Sequence, residues 1–265
     1  MLKEYIPPVV LKYIIGFFYG WKGNYSSWNE AQKKCSGYNS DTIFTKVKEA
    51  LLKVKSGEAV FERDSVLFDK IHYSFPLLSA LSIVALKNKG KLNVLDFGGS
   101  LGSSYYQNKN IFEDINEFNW CIVEQPHFVK EGLISFVDSN LHFFYDVESC
   151  MKEYRIDVLL LASVLQYLEN PYPFLDEIIS KNIEYIIIDR TPILTKGEDR
   201  ITIQKVPKNI YEAKYPCRIL NEQKLVNYLS THYDLIYDFE SPERMNLKNA
   251  VLKAYFFKRK NTDNT

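Results

Sequence analysis

From residue 91 onward, short apolar runs alternate with stretches long enough to form helices, and this alternation restricts the fold more than any other feature. The apolar runs predict five strands, at Leu92–Leu95, Trp120–Val123, Leu141–Phe144, Ile156–Leu161 and Tyr185–Ile188. Because the runs are nearly continuous, they indicate strands covered on both faces, as in a parallel sheet. Two later runs, Asp234–Phe239 and Leu252–Phe257, predict an antiparallel pair at the edge of this sheet.

The residues before this alternation favour helices. Ser27 can cap a helix that begins at Trp28, and Pro76 suits the first turn of an apolar helix that ends at Leu86. The glycine-rich segment from Gly16 to Tyr25 predicts a loop between helices.

These patterns divide the chain in two. We expect a helical N-terminal region at residues 1–90, which packs on or caps the active site, and an α/β domain at residues 91–260. Residues 191–221 contain three prolines and are predicted to form a cap inserted into the second part.

Length and charge are those of a globular α/β protein. The chain has 265 residues, of which 46% are hydrophobic and 25% charged, enough for one large domain or one domain with a small addition. Lys and Arg together number 33, as do Asp and Glu. Since proteins that bind nucleic acid usually carry a basic excess, no nucleic-acid partner is expected.

Neither a metal site nor a membrane span is predicted. The four cysteines and four histidines show no ligand spacing. The apolar segment Val9–Tyr19 is too short to cross a bilayer and is interrupted by Lys12, so it predicts a buried helix, with peripheral membrane contact as the alternative. The start of the chain lacks the pattern of a secretory signal, and a cytoplasmic protein is expected.

The stretch VLDFGGSLGSS, which begins at Val94, is the most informative motif. A predicted strand ends at Asp96, and a turn rich in glycine precedes a helix. Glycine lets the backbone pass close to a ligand, and the start of a helix offers free N–H groups. Ser100 and Leu101 stand where a G-x-G-x-x-G dinucleotide motif would need glycine, so this is a different type of turn.

Polar residues follow four successive predicted strands. Glu124 ends the second strand, where a carboxylate can accept hydrogen bonds from both ribose hydroxyls. Asp146 follows the third strand and could meet an adenine amino group, and Ser163 and Gln166 follow the fourth. Open α/β sheets bind ligands at this edge, so the set predicts a nucleoside site.

These residues resemble those of S-adenosylmethionine (SAM)-dependent methyltransferases of the seven-strand class. More closely, the chain resembles a family of methyltransferases associated with bacterial surface-polysaccharide (capsule or O-antigen) genes. The resemblance rests on WKGNYSSWNEA, FERDSVLFD, VLDFGGSLGSSYYQ, WCIVEQP, SVLQYL, DRTP and QKVPKNIY. The wider class has D-x-G-x-G-x-G at the turn; Asp96, Gly98 and Gly102 match, whereas Ser100 replaces the middle glycine and Gly99 is an addition.

The resemblance implies a fold and a cofactor. The fold is a Rossmann-like, doubly wound seven-stranded sheet, mostly parallel with an antiparallel last strand, with a helical N-terminal extension. The cofactor is SAM, with its methionine part cradled by Asp96 to Ser103, its ribose bound by Glu124 and its adenine near Asp146. The predicted cofactor-binding set is Asp96, Gly98, Gly99, Ser100, Gly102, Ser103, Glu124, Gln125, Asp146, Ser163 and Gln166.

Arginine points to the acceptor. Four of the seven arginines fall in segments assigned to the acceptor side: Arg63, Arg190, Arg200 and Arg218. Because arginine binds phosphate bidentately, we expect a small-molecule or glycan-precursor acceptor that bears a phosphate or phosphoramidate group. The predicted acceptor-binding residues are Arg63, Tyr73, Tyr167, Arg200, Tyr211 and Tyr215.

Three residues are candidates for catalysis. His72 can serve as a general base for a hydroxyl acceptor, whereas a phosphate oxygen would need no base. Asp189 and Arg190 end the fifth strand, a position that overlooks the reacting methyl group in the fold that the resemblance implies. Two alternatives remain open: a nucleotide-sugar or NAD-linked enzyme, and a non-catalytic scaffold of polysaccharide assembly whose pocket is degenerate at Ser100.

Overall fold

The protein is described by a computed structural model over residues 19–35, 40–207 and 213–261. Its strands are β1 Gly20–Tyr25, β2 Phe61–Arg63, β3 Val66–Phe68, β4 Lys91–Phe97, β5 Glu117–Val123, β6 Leu141–Phe144, β7 Val158–Ala162, β8 Tyr185–Leu194, β9 Arg200–Lys205, β10 Lys214–Asn221, β11 Tyr233–Arg244 and β12 Ala250–Arg259. Its α-helices are α1 Trp28–Lys33, α2 Ser40–Lys55, α3 Phe75–Lys87, α4 Ser103–Phe112, α5 Pro126–Ser135, α6 Val147–Glu153, α7 Pro171–Ser180 and α8 Glu222–Leu229.

Seven strands form a central sheet in the order β6-β5-β4-β7-β8-β12-β11. Strands β4 to β8 pair in parallel, and β12 runs antiparallel between β8 and β11. This confirms the predicted Rossmann-like, doubly wound sheet with an antiparallel last strand. The strand order reverses beside β4, which places a crevice at the carboxyl ends of β4 and β7.

The two faces of the sheet are covered by different helices, as the apolar runs predict. Along β5, Trp120 and Ile122 belong to a core that contains side chains of α3, α4 and α5. Cys121 and Val123 belong to a second core, with side chains of α6, α7 and α8. Successive residues of a strand point to opposite faces, so a run that is apolar throughout fills both cores at once.

Three further strands extend the sheet and join the N-terminal region to the insertion. Strand β10 pairs with the end of β8, β9 pairs with β10, and β1 pairs antiparallel with β9. Gly20–Tyr25 was predicted to be part of a loop, because its glycines carry no strand pattern. The edge of β9 supplies the partner, and Arg200 adds two hydrogen bonds to the carbonyl of Gly23.

Several local predictions are confirmed, with longer bounds for most elements. The side chain of Ser27 accepts a hydrogen bond from the backbone of Glu30 and caps α1. Strand β8 extends past the predicted end at Ile188 because β12 pairs with it up to Leu194. Between β2 and β3, Asp64 and Ser65 both have positive φ, as a tight hairpin turn requires.

Within the three described ranges, the helices lack the combination of length and apolar character that crossing a membrane requires. Residues 9–18 of the predicted N-terminal apolar helix lie outside those ranges.

The packing of α5 on β6 leaves no room for a side chain at Gly132, because a Cβ there would overlap the ring of the buried Phe143. Alanine is the better helix former by about 1 kcal/mol. We nevertheless expect Gly132→Ala to lower the free energy of unfolding by about 1–3 kcal/mol, because overpacking outweighs propensity. Urea unfolding measures the change. The exposed Lys130→Ala in the same helix is the control, and an undiminished stability of Gly132→Ala would contradict the packing described.

Candidate functional site

A cavity of about 2480 Å³ opens at the carboxyl ends of β4, β5 and β7 and beside the middle of β8. Its walls come from the glycine turn after β4, the β2–β3 hairpin, the insertion at β9 and β10, and the connection between β11 and β12. Ligand pockets typically occupy roughly 300–1,000 Å³, so this cavity has room for two ligands side by side.

Asp96 lies at the base of the cavity, at the end of β4. Its side chain is 1% exposed, and one carboxylate oxygen accepts a hydrogen bond of 2.9 Å from the indole of Trp120. The other oxygen is buried and has no hydrogen-bond partner among the described residues. Burial raises the pKa of Asp96 to about 7, although the Trp120 bond acts in the opposite direction.

The glycine turn packs directly over this carboxylate. A Cβ at Gly99 would lie 2.5 Å from the carboxyl carbon of Asp96, so only glycine fits there. Gly98 and Gly102 have positive φ, and Ser100 also adopts the left-handed conformation, with a φ of 56°. Ser100 thus keeps the backbone path that a glycine would favour, at a cost of about 1 kcal/mol.

Glu124 lines the cavity beside the same turn. Its half-buried carboxylate accepts a hydrogen bond from the backbone N–H of Gln125. Burial raises the pKa of Glu124, and the backbone N–H groups of Gln125 and Ser100 lower it. Glu124 and the exposed Gln125 both line the cavity, so the structure brings the turn and the end of β5 together as the sequence predicts.

Glu62 is a cavity residue that sequence analysis missed. It lies on β2, is 2% exposed, and accepts hydrogen bonds from the hydroxyl of Ser103 and, at 3.1 Å, from the backbone of Ser65. Burial raises the pKa of Glu62 to about 7. The sequence offers one signal, an acidic residue next to Phe61 inside a motif that carries the family resemblance. The contact of Glu62 with α4 could not be predicted, because β2 and α4 are far apart in the chain.

The residue after β7 is hydrogen-bonded to the middle of β8. Ser163 has a positive φ. Its N–H donates a hydrogen bond of 2.9 Å to the carbonyl of Asp189, and its hydroxyl donates one of 3.2 Å to the carbonyl of Arg190. Gln166 is 4% exposed, and its side-chain oxygen has no hydrogen-bond partner among the described residues. Ser163 and Gln166 both line the cavity.

Asp146 does not reach the cavity, which corrects its predicted place near adenine. Its exposed carboxylate caps α6 by accepting a hydrogen bond of 2.7 Å from the backbone of Ser149. That bond is the main reason that the pKa of Asp146 is lowered. The neighbouring Tyr145, also exposed, lines the cavity instead.

Asp189 and Arg190 are neighbours in β8, and both line the cavity. Asp189 is 4% exposed, and the hydroxyl of Ser74 donates to it at 3.3 Å. Burial raises the pKa of Asp189, and the charge of Arg190 lowers it. The guanidinium groups of Arg190 and Arg63 both face the carboxylate of Glu243, at 3.7 and 3.4 Å.

The remaining predicted acceptor residues separate into two groups. His72, Tyr73, Tyr167 and Tyr215 line the cavity. The ring of His72 packs edge-on against Phe68, and those of Tyr167 and Tyr215 form a T-shaped pair with centroids 5.1 Å apart. Tyr211 lies outside the described residues.

Arg200 and Arg218 are not part of the cavity wall, contrary to prediction. Arg200 donates to the carbonyl of Gly23 and fastens β9 to β1. Arg218 donates to the carbonyl of Glu169 at 2.7 Å. The guanidinium groups of both arginines donate hydrogen bonds to backbone carbonyls, and these bonds connect the insertion to neighbouring segments.

Comparison with solved structures supports the fold. The [4+2]-cyclase SpnF aligns with a TM-score of 0.50 at 10% sequence identity, over 91% of this chain and 98% of that one. The N-terminal domain of EvdMO1, solved in the presence of SAH and D-fucose, gives a TM-score of 0.47 at 14% identity, over 75% of this chain and 89% of that one. Magnesium protoporphyrin IX methyltransferase (ChlM) from Synechocystis PCC 6803, solved with bound SAM, gives 0.46 at 12% identity, over 81% and 97%.

At such low sequence identities, the similarity shows the fold alone. No protein-family model matches the sequence, and no curated protein matches it. Because SpnF is described as a cyclase, a shared fold does not determine the reaction, and the function has to be inferred from the site.

The buried carboxyl of Asp96 makes stability depend on pH. In the unfolded chain it loses its proton near its ordinary pKa of 3.8, but in the folded chain only near 7. The folded state therefore holds an extra proton between these values, and stability falls as pH rises towards 7.

We expect the protein to be more stable near pH 5 than near pH 8, and Asp96→Asn to remove about 2–3 kcal/mol of this difference. Urea unfolding at both pH values measures it, with the exposed Asp114→Asn as the control. An equal pH dependence in the Asp96 variant and the parent would show that Asp96 is ionised when folded.

Proposed function

We propose that this chain is a SAM-dependent methyltransferase that methylates an oxygen of an anionic, phosphate-bearing glycan precursor. The observation that carries the proposal is the arrangement at the ends of β4 and β5: the glycine turn packs on the buried Asp96, and Glu124 lines the same cavity beside the turn. It lies where the strand order reverses, the point at which open α/β sheets bind nucleotides. The link to bacterial capsule synthesis rests on the sequence resemblance.

The residues at this end of the cavity fit SAM. Glu124 follows β5, where a carboxylate can accept the ribose hydroxyls, and Tyr145 follows β6, where an aromatic ring can stack on adenine. Helix α4 begins after Gly102 without a side-chain cap, so its N-terminus favours the methionine carboxylate. When bound, SAM supplies an electrophilic methyl group on sulfur.

The other end of the cavity favours an anionic acceptor. Arg63 and Arg190 face it from β2 and β8. Lys205 and Lys214 are paired across β9 and β10, and burial together with the charge of Lys205 lowers the pKa of Lys22. Like charges that face one another are unfavourable unless an anion lies between them.

The chain's own contribution to methyl transfer would be to position the acceptor oxygen and to exclude water. For a hydroxyl acceptor, Asp189 would accept the proton, and its raised pKa makes it a stronger base than an exposed aspartate. For a phosphate oxygen, no base is required. Tyr167 and Tyr215 would pack against the sugar from the insertion.

We expect calorimetric titration to detect binding of SAM, and Glu124→Gln to weaken it by about tenfold or more, because hydrogen bonds to a charged acceptor contribute about 1.5–3 kcal/mol. Asp146→Asn should leave the affinity unchanged, since Asp146 caps α6 outside the cavity. Absence of binding by the parent chain at millimolar SAM would refute the proposed function. An effect of Asp146→Asn equal to that of Glu124→Gln would contradict the placement of Asp146 outside the site.

The acceptor is identified by mass spectrometry of phosphorylated glycan precursors incubated with protein and SAM, through a mass gain of one methyl group. With a hydroxyl acceptor found in this way, we expect Asp189→Asn to lower kcat by about 10²–10⁴-fold with little change in SAM affinity. His72→Gln, which removes the other candidate base, should have the smaller effect. An unchanged kcat in the Asp189 variant would exclude it as the base.

A further inference from the structure

Three charged side chains meet at the acceptor end of the cavity. One carboxylate oxygen of Glu243 lies 3.4 Å from Nη1 of Arg63, and the other lies 3.7 Å from Nη2 of Arg190. Charge-assisted hydrogen bonds are usually about 2.7–2.9 Å long, so Glu243 neutralises the two arginines only loosely. Nε of Arg190 is buried and has no hydrogen-bond partner among the described residues.

The two arginines are held by separate rigid parts of the structure. Arg190 has a φ of 49°, an unfavourable conformation for a residue other than glycine, and the hydroxyl of Ser163 donates to its carbonyl. Arg63 stands at the β2–β3 turn, with its guanidinium carbon 6.0 Å from the ring centre of Phe68. Strain of this kind persists where the surroundings enforce it, and it clusters at ligand sites.

Glu243 reaches the arginines because of an irregularity in β11. The pairing of β11 with β12 shifts register between Glu240 and Arg244, and such bulges redirect side chains. The connection beyond it is fixed, since Asn246 makes two hydrogen bonds with the backbone of Trp21, of 2.9 and 3.1 Å. The side chain of Glu243 is 42% exposed, so it can rotate away from the arginines without movement of the connection.

We propose that Arg63 and Arg190 form a subsite for a phosphate group of the acceptor, and that Glu243 is an internal competitor that the phosphate displaces. The carboxylate of Glu243 presents one oxygen to each guanidinium, as two oxygens of a phosphate would. A phosphate carries the larger negative charge and a third oxygen that can accept a further hydrogen bond. The proposal takes its acceptor from the proposed function, but the subsite itself can be tested without methyl transfer.

The test is calorimetric titration of the full chain with phenyl phosphate and with benzoate, which share a ring and differ in the anionic group. We expect Glu243→Gln to bind phenyl phosphate about two- to fivefold more tightly, since a partly exposed ion pair that competes for the site is lost. Arg63→Gln and Arg190→Gln should each weaken binding about tenfold or more. Glu240→Gln and Arg155→Gln, exposed residues that do not line the cavity, carry the same charge changes and should leave binding unaltered.

The outcomes are separable from those of the proposed function. SAM titration of the same variants should give the parent affinity, because neither guanidinium belongs to the set of residues proposed to hold SAM. Absence of SAM binding by the parent chain would refute the methyltransferase and leave the subsite standing. Equal phenyl phosphate binding by the parent, Glu243→Gln and Arg63→Gln would overturn the subsite, even if Arg190→Gln failed to fold. If Glu243→Gln bound phenyl phosphate more weakly than the parent, Glu243 would not be a competitor. If the variants changed the affinity for benzoate alone, the assignment of the subsite to phosphate would be overturned.

Discussion

The buried carboxylate of Asp96 is the constraint on which the cavity depends. Its hydrogen bond to Trp120 fixes it below the backbone at Gly99, which leaves no space for any side chain at that position. The turn is therefore forced along a narrow path, and this path presents the N–H of Ser100 to Glu124. One buried acid thus constrains both the glycine turn and the carboxylate of Glu124 next to it.

The cavity contains two sets of charged groups. Asp96, Glu62 and Glu124 are acids close to the turn, and burial raises the pKa of each. Arg63 and Arg190 also line the cavity, and both face the carboxylate of Glu243. Burying acids in this way costs stability, and such concentrations of displaced pKa values are more typical of functional sites than of packing. A ligand that carries both a cationic and an anionic group would complement the two sets of charges.

The sheet could be predicted from the sequence because its strands are apolar on both faces, as the split of Trp120 and Cys121 between two cores shows. The turn could be predicted because its glycines and Asp96 are close together in the chain. Glu62 could not, because its contact with Ser103 depends on the folding of a distant hairpin over α4. The predicted place of Asp146 was wrong because an aspartate that follows a strand can either cap the next helix or contact a ligand, and the sequence does not distinguish the two.

Strand β1 has a consequence for the order in which this protein is assembled. Gly23 receives its hydrogen bonds from Arg200, 177 residues further along the chain. During synthesis β1 leaves the ribosome first and then stays without a partner until β9 and β10 have been made, and pairing over such separations is slow. The glycine turn and the ends of β4, β5 and β7 can form before then from neighbouring segments. The cavity wall at β1, β9 and β10 is completed later, so it is a part exposed to misassembly in a nascent chain.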